Sequence, residues 1–144
     1  MTKMKLLIRA VPLAAIITLS WACGPAVPRD QIRGYAEGMS ISVTADSLPP
    51  RAMDDVVWRV TVRDSKTGVP IEGGQGALWA RSRDGHEISN GLVAARELGT
   101  YTTPLRLVIA APWQMGVRFR RDSNAAFADI AWIQEVRAPR PFGG

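Results

Sequence analysis

The chain has 144 residues, 47% of them hydrophobic and 22% charged, which excludes a disordered polymer and gives room for one domain. The formal net charge of +5 includes Lys3, Lys5 and Arg9; without these it falls to about +2, too little for an electrostatic case for nucleic-acid binding. A single cysteine, Cys23, excludes an intramolecular disulfide and draws attention to its position.

The N-terminal stretch carries Lys3, Lys5 and Arg9 and no acid, and residues 10–28 contain no charge at all. An apolar run ends at Cys23, and Gly24-Pro25 then breaks any helix. A basic start, a short apolar middle and a small residue before a break form an export signal. Residues 6–23, if helical and uncleaved, span about 27 Å, close to a bilayer core, so an anchor is the rival reading. Both readings place the rest of the chain outside the cytoplasm.

Residues 24–38 mix Pro, Gly and charges without a period and read as a linker. From residue 40 the period is two. Ile41, Val43 and Ala45 form one apolar row, and Val56, Trp58, Val60 and Val62 form the clearest. Residues 64–68 read as a turn, 77–80 as a short strand, and Asp84-Gly85 as a hairpin. Residues 92–94 form a weak strand. Alternation resumes at Gly99 and runs through Leu105, Leu107 and Ile109, with Pro104 favouring an edge or a bulge. Trp113, Met115, Val117 and Phe119 alternate with Gln114, Gly116, Arg118 and Arg120. Residues 127–136 give a last strand with apolar residues on both parities.

No stretch after residue 30 has helical periodicity. The expected fold is therefore all-β: a two-sheet antiparallel β-sandwich of about seven strands over residues 39–138, behind an N-terminal membrane-targeting helix (1–23) and a linker (24–38), with a tail at 139–144. A five- or six-stranded barrel is the alternative.

Ser20-Trp21-Ala22-Cys23 resembles a bacterial lipobox, with Ala22 and Cys23 in the pattern and Ser20 and Trp21 departing from it. That resemblance implies lipidation at Cys23. Residues 56–120 resemble the bacterial YtkA-like domain, related to FixH-type proteins. The resemblance is carried by residues 56–64, by Thr67-Gly-Val-Pro-Ile71, by Leu98-Gly-Thr-Tyr101 and by Pro112-Trp-Gln-Met-Gly-Val-Arg-Phe119. It implies an exported, membrane-tethered, immunoglobulin-like antiparallel β-sandwich, with Tyr101 as a corner residue and a link to copper handling.

The chemistry-bearing residues are few. His86 is the one histidine, and a metal site needs three or four ligands. Met39, Met53 and Met115 are the thioethers that would join it on Cu(I), although Met115 lies on an apolar row and reads as core. No Gly-x-Ser-x-Gly elbow is present, Asp54-Asp55 reads as a solvated turn, and Gly73-Gly-Gln-Gly76 precedes no helix. No catalytic residue and no cofactor is therefore assigned. Arg118, Arg120 and Arg121 form a basic stripe, and Trp132 or Ile133 is expected to be exposed as a docking residue. The function expected is a tethered, non-enzymatic accessory or interaction subunit of an envelope or membrane complex. The alternative is a periplasmic copper or small-ligand module.

Overall fold

Alternating apolar rows can be satisfied only by burying them against one another, and the computed structural model, which describes residues 31–141, does this with two antiparallel sheets. The strands in chain order are β1 (Ile32–Ala36), β2 (Met39–Ala45), β3 (Asp55–Asp64), β4 (Gln75–Ser82), β5 (Glu87–Gly91), β6 (Val93–Ala94), β7 (Thr100–Arg106), β8 (Pro112–Arg120) and β9 (Ala128–Glu135). The first sheet has the order β1-β2-β3-β7-β6 and the second β5-β4-β8-β9. The chain crosses between sheets three times, after β3, β5 and β7. This is an immunoglobulin-like sandwich, and the described residues contain no helix. The targeting segment, Cys23 and the first part of the expected linker lie outside the described residues.

The described part has nine strands rather than about seven. The additional elements are β1, which occupies residues expected to be linker, and β5, the second arm of the hairpin at Asp84-Gly85; the weak strand expected at 92–94 is the two-residue β6. β1 pairs with β2 through a tight turn in which Glu37 and Gly38 both take positive φ (48° and 69°), the geometry that suits a two-residue hairpin. Its inward row is Ile32, Gly34 and Ala36. Gly34 is needed there because a Cβ would sit 2.6 Å from Ile130 Cγ2 of β9.

The core is the set of rows read from the sequence. Trp58, Val60, Val62, Trp113, Met115, Val117 and Phe119 are all fully buried, with Ile41 and Val43 beside them. Trp58 packs on Trp132 at 6.4 Å between ring centroids. Trp58 Nε1 and Thr103 Oγ1, on residues directly opposite each other in β3 and β7, are buried with no hydrogen-bond partner among the described residues.

Tyr101 is a pin rather than a filler. Its hydroxyl donates to the Ile71 carbonyl at 2.8 Å and accepts from the Gly74 amide at 3.1 Å, and its ring meets Phe119 edge-on. It thereby fixes the loop that carries the chain from the first sheet to the second. Pro104 sits in an inner strand, opposite Val57, but β6 covers β7 only at Tyr101 and Thr102. Its missing N–H therefore falls where β7 is locally an edge.

Candidate functional site

Strict alternation along β9 decides which of its residues meet solvent. Ala128, Ile130, Trp132 and Gln134 turn inward, and Asp129, Ala131, Ile133 and Glu135 turn outward. The two apolar parities of this strand are thus one inner row and one short outer patch. Trp132 is turned inward and half-buried against Trp58, so the exposed member of the expected pair is Ile133, at 65% exposure.

Ile133 belongs to the outer face of the second sheet. Beside it on β8 lies Gln114, then Gly116, Arg118 and Arg120 along the same row. Gly116 stands opposite Trp79 of β4, and the indole lies over it: a Cβ at Gly116 would be 2.5 Å from Trp79 Cε2. An aromatic ring laid over a strand glycine covers backbone that no side chain there can cover. The sequence signal for Trp79 on this face is its parity, opposite to that of buried Leu78 and Ala80.

Two grooves lie on this side of the sheet, one of them against this tryptophan. One, about 630 Å³, is lined by Ala77, Trp79, Arg81, Glu87, Ser89, Arg118 and Asp129. The other, about 640 Å³, lies between the β4–β5 turn and the start of β8 and includes Arg83, Pro112, Gln114 and Ile133. Arg81 lines both. Arginines hold the rims in place: Arg81 pairs with Glu87 at 2.7 Å and Arg118 with Asp129 at 2.9 Å. Arg120 donates to Gln75 and to the Ser123 carbonyl and lies 4.7 Å over the Phe127 ring, with Arg118 at 5.7 Å. Arg121 leaves the stripe and turns to Asp64, because it follows the end of β8 and points to the first sheet.

The residues considered for copper are not brought together. Met39 is buried at the end of β2 opposite Asp64, the end where Arg121 reaches Gly38 and Asp64. His86 is exposed in the β4–β5 turn, its ring 6.1 Å from Trp113 near the start of β8. The length of β8, about 26 Å, separates these places. Met53 is exposed beside Leu107 and belongs to the first sheet's connections, and Met115 is buried. Among the described residues there is no cluster of three or more His, Cys, Asp or Glu.

Nor do the polar turn residues form a catalytic array. Ser82 bonds to Asp84 and accepts the His86 amide, which closes the hairpin, while the His86 ring faces Trp113. The Ser82 hydroxyl holds the Asp84 carboxyl below its usual range. Asp55 is likewise held down, by two hydrogen bonds from Arg106, and Asp54 lies 3.5 Å from Arg140.

No family model matches the chain and no curated protein matches it. Among solved structures, it is similar to a copper-bound variant of FetP from uropathogenic Escherichia coli. The TM-score is 0.53 at 10% identity, covering 79% of this chain and 94% of that one. The PKD domain of the human receptor SorCS2 gives a TM-score of 0.39 at 13% identity, covering 95% of this chain and 99% of that domain. The likeness to FetP is one of fold, and with the topology above it supports an immunoglobulin-like β-sandwich.

Proposed function

We propose that this chain is a membrane-tethered, non-enzymatic binding module that works outside the cytoplasm and docks on an envelope or membrane protein through the outer face of its second sheet. The observation that carries the reading is Trp79 seated over Gly116, with Ile133 exposed on the same face and paired arginines on its rims. Tryptophan and arginine dominate the energetics of protein interfaces, and a ring already held in place loses little freedom on binding. The tether rests on the basic, apolar and Cys23-terminated start of the chain.

The test is photo-crosslinking in intact cells from a reactive residue placed at Ala131, compared with one at Arg59 on the outer face of the other sheet. A discrete adduct from position 131 alone is the expected result; equal labelling from both, or none, would sink the docking reading. For the tether, Cys23→Ser is expected to abolish acyl labelling and leave unprocessed precursor. Absence of acyl labelling in the wild type with Met1 retained points instead to the uncleaved anchor.

A second reading, a periplasmic copper module, is favoured by the likeness to a copper-bound protein. The separation of His86 from Met39 weighs against a single site built from them. Copper titration of the wild type and of His86→Ala, followed by absorption and fluorescence, decides it: saturable binding lost in the variant would favour copper.

A further inference from the structure

The connection between β7 and β8 is apolar throughout. Residues 107–112 read Leu-Val-Ile-Ala-Ala-Pro and contain no polar side chain. Leu107 is buried, but Val108 and Ile109 are exposed (42% and 37%), as is Ala110. Beside them Met53, at 54% exposure, is tied on by its amide to the Leu107 carbonyl at 2.8 Å. The loop is preformed: the Trp113 indole donates to the Ile109 carbonyl at 2.9 Å, and Ala111 closes on the same carbonyl. Exposed apolar side chains gathered in one preformed, uncharged tip mark a surface suited to an apolar partner.

The register of β1 says what faces it. Ile32 lies opposite Val43, Val43 opposite Val60, and β1 climbs from there toward Ala36, opposite Met39 and Asp64. Ile32 is therefore the end of β1 nearer to the Asp55 end of β3, the end that holds Met53 and the 107–112 loop. From the level of Val60 to Asp55 is about 17 Å of strand. Residues 24–31 can span roughly 27 Å when extended, so Cys23 can reach the plane of the tip.

Accordingly, we infer that Val108, Ile109 and Met53 insert into the lipid surface that holds the N-terminal segment, so that the domain stands on its β7–β8 tip with the second sheet's outer face upright and accessible. The inference rests on the proposed tether. Arg106 and Arg140 at this end pair with Asp55 and Asp54, while Arg51 and Arg137, beside Met53, form no ion pair among the described residues, so apolar insertion is joined by an attraction to anionic headgroups that salt weakens.

The test uses the full chain in vesicles of phosphatidylethanolamine and phosphatidylglycerol, with a nitroxide on Val108→Cys and, at the opposite end, on Lys66→Cys. The wild type taken through the same labelling is the blank for Cys23. The expected result is a shift at position 108 toward access by oxygen and away from a water-soluble nickel chelate, with position 66 left in water. If the protein floats with the vesicles but both labels stay aqueous, the tether stands and the tip contact is overturned. Spin–spin broadening at position 108 would make the tip a contact between copies and overturn it as well. A chain that does not float overturns both the tether and the inference.

Discussion

Arg121 ties the two sheets together at one end of the sandwich: its Nη2 donates to Asp64 Oδ2 at 2.9 Å and to the Gly38 carbonyl at 3.0 Å. Asp64 ends β3 and Arg121 follows β8, so one guanidinium joins the β1–β2 turn, the β3–β4 turn and the end of the second sheet. The Asp64 carboxylate also accepts the Lys66 and Thr67 amides through Oδ1.

A pH dependence follows. The Thr67 amide first, then the Arg121 guanidinium and the Lys66 amide, holds the Asp64 carboxyl far below the usual carboxylate range. Arg106 lowers Asp55 in the same sense. The unfolded chain takes up protons near the ordinary Asp value of about 3.9, where the folded chain still holds its charge. Stability is therefore fully present above that range and is lost as pH falls toward the folded-state values. Asp64→Asn is expected to flatten the acid limb of a plot of urea midpoint against pH. Parallel plots for variant and wild type would refute the assignment.

The core makes two predictions of opposite sign. Trp58→Ala removes a fully buried aromatic and is expected to cost about 3–5 kcal/mol in denaturant unfolding. Thr103→Val replaces a buried hydroxyl that has no partner with a methyl of similar shape, and is expected to be neutral or to stabilise by up to ~1 kcal/mol. A clear loss at Thr103 would mean that the hydroxyl is satisfied.

Both substitutions fall on rows that the sequence displays openly. Val56, Trp58, Val60 and Val62 alternate with mostly polar residues because one face of β3 is buried and the other wet. Where a strand departs from that condition, the pattern fails. β1 hides its inward row because Gly34 must make way for Ile130. β9 looked apolar on both parities because Ala131 and Ile133 form an outer patch while Gln134 points inward. Trp79 and Gly116 were each visible, but their pairing depends on the β4–β8 register, which one strand's composition does not encode.

Tyr101 offers a finer probe of the inter-sheet loop. Tyr101→Phe keeps the ring against Phe119 and removes the hydroxyl that serves both Ile71 and Gly74. The expected cost is about 1–2 kcal/mol, with faster amide exchange at Gly74. Unchanged exchange there would show that the loop does not depend on the hydroxyl.

The docking face can be separated from the fold because its parts carry different loads. Ile133 is exposed and touches little, so Ile133→Asp is expected to shift stability by no more than about 0.5 kcal/mol. Gly116→Ala is a different kind of change. The new Cβ would overlap the Trp79 ring, and the neighbouring Ile130 carbonyl, at 2.7 Å, leaves no room to retreat. The indole must lift off the sheet, at a cost of about 1–3 kcal/mol, and its fluorescence should shift to the red as it meets water. If the outer face binds a partner, both variants lose the crosslink formed from position 131: Ile133→Asp through a buried charge, Gly116→Ala through a displaced anchor. An adduct retained by both would leave Trp79 as a cover for glycine and nothing more.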